Sequence, residues 1–156
     1  YDGVLSDGSV MLFPDMHPVR SIHVKDGYAL QLAVKKGFQV MIITGGKSIG
    51  MQKRLNKMGV ADVFMDVHDK LSFFNDIIAQ RSISPAEVMY MGDDIPDFPV
   101  MQKVGLPACP LDAAEEIKNI SKYISAKKGG EGCVRDIIEQ ILKVKGQWML
   151  PDTYNW

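Results

Sequence analysis

The sequence predicts an α/β fold: a Rossmann-like three-layer arrangement with a mostly parallel central sheet. Two observations lead to this prediction. Short apolar runs such as "FQVMIITGG" and "EVMYMGDD" end in glycines or acids, as buried strands do where they meet a loop. Amphipathic stretches long enough for helices separate these runs, and strand–helix–strand crossovers give a parallel sheet with helices on both faces.

The predicted elements follow in chain order. "FQVMIITGG" is a strand, and "KSIGMQKRLNKMG" is a helix that ends at Gly59. "DVFMDV" is the next strand and "KLSFFNDIIAQR" the next helix. "SPAE" predicts a short helical turn in which Ser84 and Glu87 form a capping box. "EVMYMGDD" is a third strand, and "IPDFPVMQKVG", "LPACP", an Ala/Glu helix and "KYIS" follow it. "CVRDIIEQILKV" is the closing amphipathic helix.

One segment interrupts the alternation of strands and helices. "SVMLFPDMHPVRSIHV" places two apolar runs around "PDMHP", which predicts a β-hairpin over about residues 9–24. Val10, Leu12, Ile22 and Val24 recur on it with the period of a strand. An apolar hairpin that projects from a sheet is expected to pack against another chain.

Length and composition narrow the range of functions. The 156 residues favour a single domain, assigned to residues 1–146, and the aromatic tail 147–156 is either an ordered plug at a neighbouring subunit's site or a frayed end. The net charge of −1 argues against nucleic-acid binding and against a basic membrane surface. Apolar runs are too short to span a bilayer. Two cysteines without metal-type spacing, and no signal-peptide pattern, favour the reducing cytoplasm.

Polar residues follow each predicted strand. Since ligands of open parallel sheets bind beyond the carboxyl ends of the strands, these residues are expected to meet at one rim. Acids, a hydroxyl beside backbone N–H groups and a lysine together suit Mg²⁺ and a phosphate group. They are Asp2, Thr44, Gly45, Gly46, Asp66, Lys70, Asp93, Asp94 and Asp97.

The motifs "DGVLSDG", "IITGGKS", "DKL" and "YMGDDIPD", in this order and spacing, resemble those of the haloacid dehalogenase-like phosphatases. The resemblance continues through "VGLPACP" and "GGEGCVRD" to about residue 145. Within that family the chain is most similar to the small branch without a cap domain. The resemblance implies a Mg²⁺-dependent phosphatase that acts through an aspartyl-phosphate.

The resemblance also implies catalytic roles. The family pattern Asp-x-Asp-Gly aligns its second aspartate with Asp2, which implies that Asp2 is the general acid and base and a Mg²⁺ ligand through its carbonyl. The nucleophilic aspartate is then expected before Tyr1, at the end of a central strand whose loss would disrupt the sheet. Asp93 and Asp94 are implied to bind the metal, and Asp97 to support the metal ligands. Lys70 and Thr44 are implied to bind the phosphoryl group and take part in catalysis, and Gly45 to bind phosphate. For Asp94, helix capping remains an almost equal alternative.

Substrate residues implied by the resemblance are His23, Lys25, Asp26, Gly27, Gln31, Gly46 and Arg54. The sequence departs from the family at two of these positions. Many relatives have arginine where this chain has Gly46, and asparagine is more usual where this chain has His23. The implied substrate is a sugar-acid phosphate, with 3-deoxy-D-manno-octulosonate 8-phosphate (KDO 8-phosphate) favoured. A nonulosonate 9-phosphate shares its α-keto acid end and is the alternative. If the nucleophile is absent, an inactive binding or assembly module is the remaining hypothesis.

The resemblance finally implies how the site is covered. Residues 8–26 leave room for the hairpin alone, and residues 70–93 for one helix and one strand, so no cap domain is expected. In the resembled branch neighbouring subunits form the roof. A homotetramer assembled through the hairpin is therefore expected.

Overall fold

The computed structural model describes residues 1–14 and 16–155. In the described part, strands and helices alternate as the sequence predicts. The strands are β1 (Met11–Phe13), β2 (Met16–Val19), β3 (Met41–Ile43), β4 (Asp62–Phe64), β5 (Met89–Met91), β6 (Leu106–Cys109) and β7 (Tyr123–Ile124). The helices are α1 (Val24–Lys35), α2 (Ile49–Lys57), α3 (Lys70–Gln80), α4 (Phe98–Met101), α5 (Glu115–Ile120) and α6 (Cys133–Val144).

The strands β3 to β7 pair in parallel, and the fold is the expected three-layer α/β type. Alternate strand residues face opposite layers, as the period of two requires. Ile42 and Met91 pack on the core formed with α1, α2 and α6. Met41 and Tyr90 face the second core, formed with α3 and α4.

The sheet is in two parts within the described residues. β3 pairs with β4, and β5 pairs with β6 and β7, but no ladder joins β3 to β5. A cavity of about 650 Å³ lies between them, and we call it the strand slot. Residues of both facing strands line it, together with apolar side chains of α1, α3 and α6. That a central strand completes the sheet between β3 and β5 stays a prediction.

The predicted hairpin is present but shorter than expected. β1 and β2 pair antiparallel, with Met11 opposite Val19. Residues 17 and 18 belong to β2 rather than to the loop, and Asp15 of the predicted loop lies outside the described residues. Ile22 follows the hairpin and Val24 begins α1, so their assignment to the hairpin was wrong.

Helix α1 is the element that the sequence analysis missed. The hairpin prediction extended into its first residue, and its low amphipathicity hid the rest, because both Asp26 and Gly27 are buried beside the apolar residues. The turn at Pro85–Glu87 is present, but no side-chain bond from Ser84 caps it, so the capping box was wrong.

The tail is docked on its own chain. Trp148 stacks on the guanidinium of Arg135, with 4.6 Å from Cζ to the ring centroid. The Tyr28 hydroxyl donates to the carbonyl of Thr153, and Lys36 pairs with Asp152 at 2.6 Å. Trp156 lies outside the described residues. These contacts with α1 and α6 contradict the frayed-end alternative.

Candidate active site

The Asp97 carboxylate organises the polar groups that follow β5. Its side chain is buried in a short 3₁₀ turn after the strand. Oδ1 accepts hydrogen bonds from Lys70 Nζ and from the Tyr90 hydroxyl, both at 2.7 Å. Oδ2 accepts from the Asp93 N–H at 3.3 Å. Asp97 therefore fixes the first residue of α3, the middle of β5 and the loop that carries Asp93.

The Asp93 carboxylate is pressed against the turn that contains Asp2. A Cβ at Gly3 would overlap this carboxylate, so only glycine permits the approach, and its φ of +76° also favours glycine. Burial and the nearby Asp97 carboxylate raise the pKa of Asp93 to about 6, although the positive charge of Lys70 acts in the opposite direction. An anion held in this way is well suited to bind a cation.

Residues 1–6 form a tight turn that positions Asp2. The carbonyl of Tyr1 accepts N–H bonds from residues 4 to 6, the shortest being 2.8 Å from Leu5. The Asp2 carboxylate accepts from the Ser6 hydroxyl at 3.1 Å and pairs with Arg20 Nε at 2.6 Å. From across the chain, the Gly130 N–H donates to the Val4 carbonyl at 2.9 Å and ties the glycine-rich loop to this turn.

Thr44 and the two glycines that follow β3 reach the same place. Thr44 is buried, and its hydroxyl oxygen accepts the Gly46 N–H at 3.1 Å. A Cβ at Gly46 would lie 3.4 Å from Oδ2 of Asp2 and 3.6 Å from Oγ1 of Thr44. Gly45 is exposed between them. The ends of β3 and β5 thus bring a hydroxyl, backbone N–H groups, a lysine and carboxylates together.

The donor set at this rim fits Mg²⁺. In the described residues no group of three acid, histidine or cysteine side chains could hold a metal ion. Mg²⁺ commonly uses one or two carboxylates and completes its shell with water and phosphate oxygens. The Asp93 carboxylate, crowded against the Asp2–Gly3 backbone, offers such a partial site. Asp94 is exposed and its side chain makes no cap bond, and its role as a metal ligand stays a prediction.

The predicted substrate residues fall into two groups. Arg54 on α2 and Lys25 on α1 are exposed, Gln31 is half-buried on α1, and His23 precedes α1 with its Nδ1 buried and without a described partner. Asp26 and Gly27, in contrast, are buried in the first turn of α1.

Asp26 and Gly27 have contacts within the fold, and their role as substrate contacts stays a prediction. The Asp26 carboxylate accepts the Arg135 N–H at 2.6 Å and joins α1 to α6, while burial raises its pKa. A Cβ at Gly27 would overlap the end of Met58, so this glycine lets α1 pack closely on α2.

Sequence analysis missed two residues of the site, Tyr90 and Arg20. Tyr90 was counted only as part of an apolar strand, and burial raises the pKa of its hydroxyl, with Asp97 adding to the effect. Arg20 pairs with Asp2 from the far end of the hairpin. In the sequence, the feature that could have indicated Arg20 is that it is a single cation within "PVRSI".

Comparisons with known proteins agree with this geometry. Residues 55–137, more than half of the chain, match the model of the haloacid dehalogenase-like hydrolases. The chain is 34% identical over 146 residues to the 3-deoxy-D-manno-octulosonate 8-phosphate phosphatase of Escherichia coli K12, covering 94% of this chain and 78% of that protein. The phosphatase of the same name from Yersinia pestis is 33% identical over 141 residues, covering 90% of this chain and 75% of that protein.

Solved structures extend the comparison to the fold. The Yersinia pestis phosphatase superposes with a TM-score of 0.90 at 32% identity, covering 94% of this chain and 79% of that one. The Moraxella catarrhalis phosphatase, in complex with magnesium, phosphate and KDO, gives 0.92 at 29% identity, covering 99% of this chain and 89% of that one. The chain therefore belongs to the haloacid dehalogenase-like hydrolases, and over most of its length it is similar to the 3-deoxy-D-manno-octulosonate 8-phosphate phosphatases.

Proposed function

We propose that this protein is a Mg²⁺-dependent phosphatase that hydrolyses KDO 8-phosphate to KDO and phosphate. The observation that carries the proposal is the meeting of the Asp2 turn with Asp93 and Thr44 at the carboxyl ends of β3 and β5. Relatives that share most of this chain's length bear the name of that activity.

Binding of the phosphoryl group falls to the residues that follow β3 and begin α3. The Lys70 ammonium, oriented by Asp97, supplies a positive charge, and the Thr44 hydroxyl and the N–H of Gly45 supply donors. Mg²⁺ held by Asp93 and the Asp2 carbonyl would neutralise phosphate and carboxylate charge, which otherwise repel each other.

Proton transfer falls to Asp2. In the first step its protonated carboxyl gives the proton to the leaving sugar oxygen, and in the second the carboxylate takes a proton from the attacking water. The bonds from Ser6 and Arg20 hold this carboxylate in one orientation, as a group that transfers protons in both directions requires.

The nucleophile is proposed to be an aspartate on a strand that lies in the strand slot and leads into Tyr1. The slot is apolar and bordered by parallel strands on both sides, so a parallel strand would pair with β3 and β5 together. The backbone nitrogen of Tyr1 is buried beside Lys70, Asp97 and Asp93. A residue bonded to this nitrogen therefore enters the cluster of charges directly.

Trapping of the intermediate tests this assignment. The enzyme is mixed with radiolabelled phosphoester substrate and Mg²⁺, quenched in acid, and the labelled peptide is sequenced. We expect an acyl phosphate on an aspartate that immediately precedes the Tyr1–Asp2 pair. Label on a residue between Tyr1 and Trp156 would contradict the assignment.

Substrate assays test the function itself. Phosphate release is measured with KDO 8-phosphate, a nonulosonate 9-phosphate and an aryl phosphate, each with Mg²⁺ and with excess chelator. We expect the highest kcat/KM for KDO 8-phosphate and no turnover with chelator. A higher kcat/KM for the nine-carbon substrate would favour that alternative, and no release from any ester would favour an inactive module.

Self-association is proposed to involve the hairpin patch, defined as Val10, Met11, Leu12, Phe13 and Val19. All five side chains are exposed, with Leu12 78% exposed. A two-stranded hairpin is marginally stable alone and gains from burial against other copies. Sedimentation should give a tetramer for the wild type and smaller species for Leu12→Glu with Val19→Glu. A monomeric wild type with full activity would refute the shared roof.

The location also remains a prediction. Cys109 and Cys133 are buried and unpaired, as expected for a protein of the cytoplasm. Among the described residues, no helix combines the length and apolarity needed to cross a bilayer.

A further inference from the structure

We propose that Arg20 is a specificity-determining residue whose guanidinium binds the carboxylate of the substrate's sugar-acid part. The inference rests on the proposed function and adds a substrate contact that the sequence motifs do not contain. It starts from the position of Arg20 after β2, at the point where the hairpin returns to the domain.

The guanidinium of Arg20 is held inside the site. Its side chain is only 12% exposed, and Nε pairs with Oδ1 of Asp2 at 2.6 Å. Nη1 is buried and has no hydrogen-bond partner among the described residues. A buried guanidinium N–H without a partner is costly, and an anionic ligand would remove that cost.

Gly46 makes room for this arrangement. A Cβ at residue 46 would lie 3.4 Å from Nη2 of Arg20, so a long side chain there would compete with the guanidinium for space. Arg20 therefore fills, from the hairpin, the space that a long side chain at position 46 would need. Because Gly46 has no side chain, the guanidinium of Arg20 has room beside it.

A cavity of about 280 Å³ lies beside Arg20. Arg20 and Arg54 both line it, with Ser48 and apolar residues of β2 and α2, and none of its described lining residues is acidic. Lys70 and Thr44, the proposed phosphoryl ligands, do not line it. The cavity thus suits a second anionic group of the substrate, separate from the phosphate.

The geometry favours a carboxylate as that group. When Asp2 protonates the leaving oxygen, the sugar attached to that oxygen continues past Asp2 toward its ion-pair partner Arg20. A planar guanidinium can meet a planar carboxylate with two parallel hydrogen bonds. The cavity is smaller than a typical drug pocket, in keeping with a short polar sugar acid.

The test compares Arg20→Gln with a matched control, Ser6→Ala, in the Mg²⁺-loaded enzyme. Both changes remove a hydrogen bond to Oδ1 of Asp2, but only the first removes a cation. We expect Arg20→Gln to lower kcat/KM for KDO 8-phosphate relative to an aryl phosphate by about tenfold or more. Ser6→Ala should leave this ratio unchanged. Equal losses on both esters in Arg20→Gln would overturn the inference.

Equilibrium binding separates this inference from the proposed function. Calorimetry with free KDO, which contains the carboxylate and no phosphate, should show a Kd raised about tenfold in Arg20→Gln. Arg20→Lys, which keeps the charge, should retain more affinity than Arg20→Gln. Equal affinities in wild type and Arg20→Gln, or in the two variants, would overturn the role of Arg20. An enzyme that binds KDO through Arg20 but releases no phosphate would instead refute the proposed function.

Discussion

The loop after β5 and the first turn of α1 each contain a conspicuous aspartate, yet the two are held in opposite ways. Asp93 is half-buried at the rim, where its carboxylate abuts the Asp2–Gly3 turn, and a lysine lies nearby. Asp26 is fully buried, and its carboxylate accepts the backbone N–H of Arg135 at the start of α6. A carboxylate that is paired with backbone inside the core joins helices, whereas one that is left at a strand end can bind a ligand.

The residues around Asp93 and those around Asp26 differ in the same way. Around Asp93, the Asp97 carboxylate accepts hydrogen bonds from Lys70 and from the Asp93 N–H. The Lys70 ammonium and the Asp93 carboxylate can still bind a ligand at the rim. In the first turn of α1, the exposed charged side chain that could reach a sugar is that of Lys25. We therefore expect substitutions near β5 to lower the rate of the reaction. Substitutions in the first turn of α1 should change substrate specificity slightly, or change only the stability of the fold.

The largest expected effect is that of Asp93→Asn, which removes the carboxylate proposed to bind Mg²⁺. Activity should fall by about 10³-fold or more, because the metal supplies several kcal/mol of charge stabilisation. Mg²⁺ affinity, measured by calorimetry, should fall in parallel. Asp94→Asn is the control, and equal loss of Mg²⁺ in both variants would make the exposed Asp94 a ligand as well.

A smaller effect is expected for Asp2→Asn, which removes the proton donor but leaves the carbonyl in place. Turnover should fall by roughly 10²–10⁴-fold, the usual contribution of general acid–base catalysis. Mg²⁺ binding should change little, since Asp2 is proposed to contribute its backbone oxygen. The assigned roles would be contradicted if Asp2→Asn and Asp93→Asn lost Mg²⁺ affinity equally.

The rim could be predicted from sequence because its residues follow strands that have clear apolar patterns. Thr44 follows "VMII" and Asp93 follows "VMYM", so the carboxyl ends of a parallel sheet place them together before any contact is known. Helix α6 has a clear amphipathic pattern and was predicted with its observed bounds, Cys133–Val144.

The start of α1 could not be predicted in this way, because its polar residues point into the core. Asp26 is a residue type usually found at the surface, but its Oδ1 accepts a backbone N–H from more than a hundred residues away in the chain. Arg20 presents the same difficulty, since its partner Asp2 lies beyond the hairpin. Partners that distant in sequence leave no local pattern.

Lys25→Ala tests whether the first turn of α1 contributes to substrate binding. An exposed cation contributes little to binding, about 0.2–1 kcal/mol, because water already solvates it. We therefore expect kcat/KM for KDO 8-phosphate to fall by up to about fivefold, with aryl phosphate turnover unchanged. Steady-state kinetics with both esters measures the ratio, and a loss as large as that of Arg20→Gln would make Lys25 a principal substrate contact.

The smallest expected effect on activity is that of Asp26→Asn, which should leave KM unchanged and alter only how stability depends on pH. Burial raises the pKa of Asp26 above its unfolded value of about 3.9, so the stability it contributes is present at low pH and is lost as pH rises through the folded pKa. Asparagine carries no charge to bury, so the variant should become more stable relative to wild type as the pH rises from about 4 to about 8. Urea unfolding at both pH values measures this change.

Asp152→Asn is the control for that measurement. The hydrogen bond from Lys36 lowers the pKa of Asp152, so the stability that this carboxylate contributes is present above the unfolded pKa and is lost as pH falls through the folded pKa. Asp152→Asn should therefore become less stable relative to wild type as the pH rises from about 4 to about 8, which is the opposite of the change in Asp26→Asn. If Asp26→Asn instead raises KM for KDO 8-phosphate and leaves the pH dependence of unfolding as in wild type, the carboxylate reaches the substrate. The distinction between the two aspartates would then be wrong, because both would act at the site.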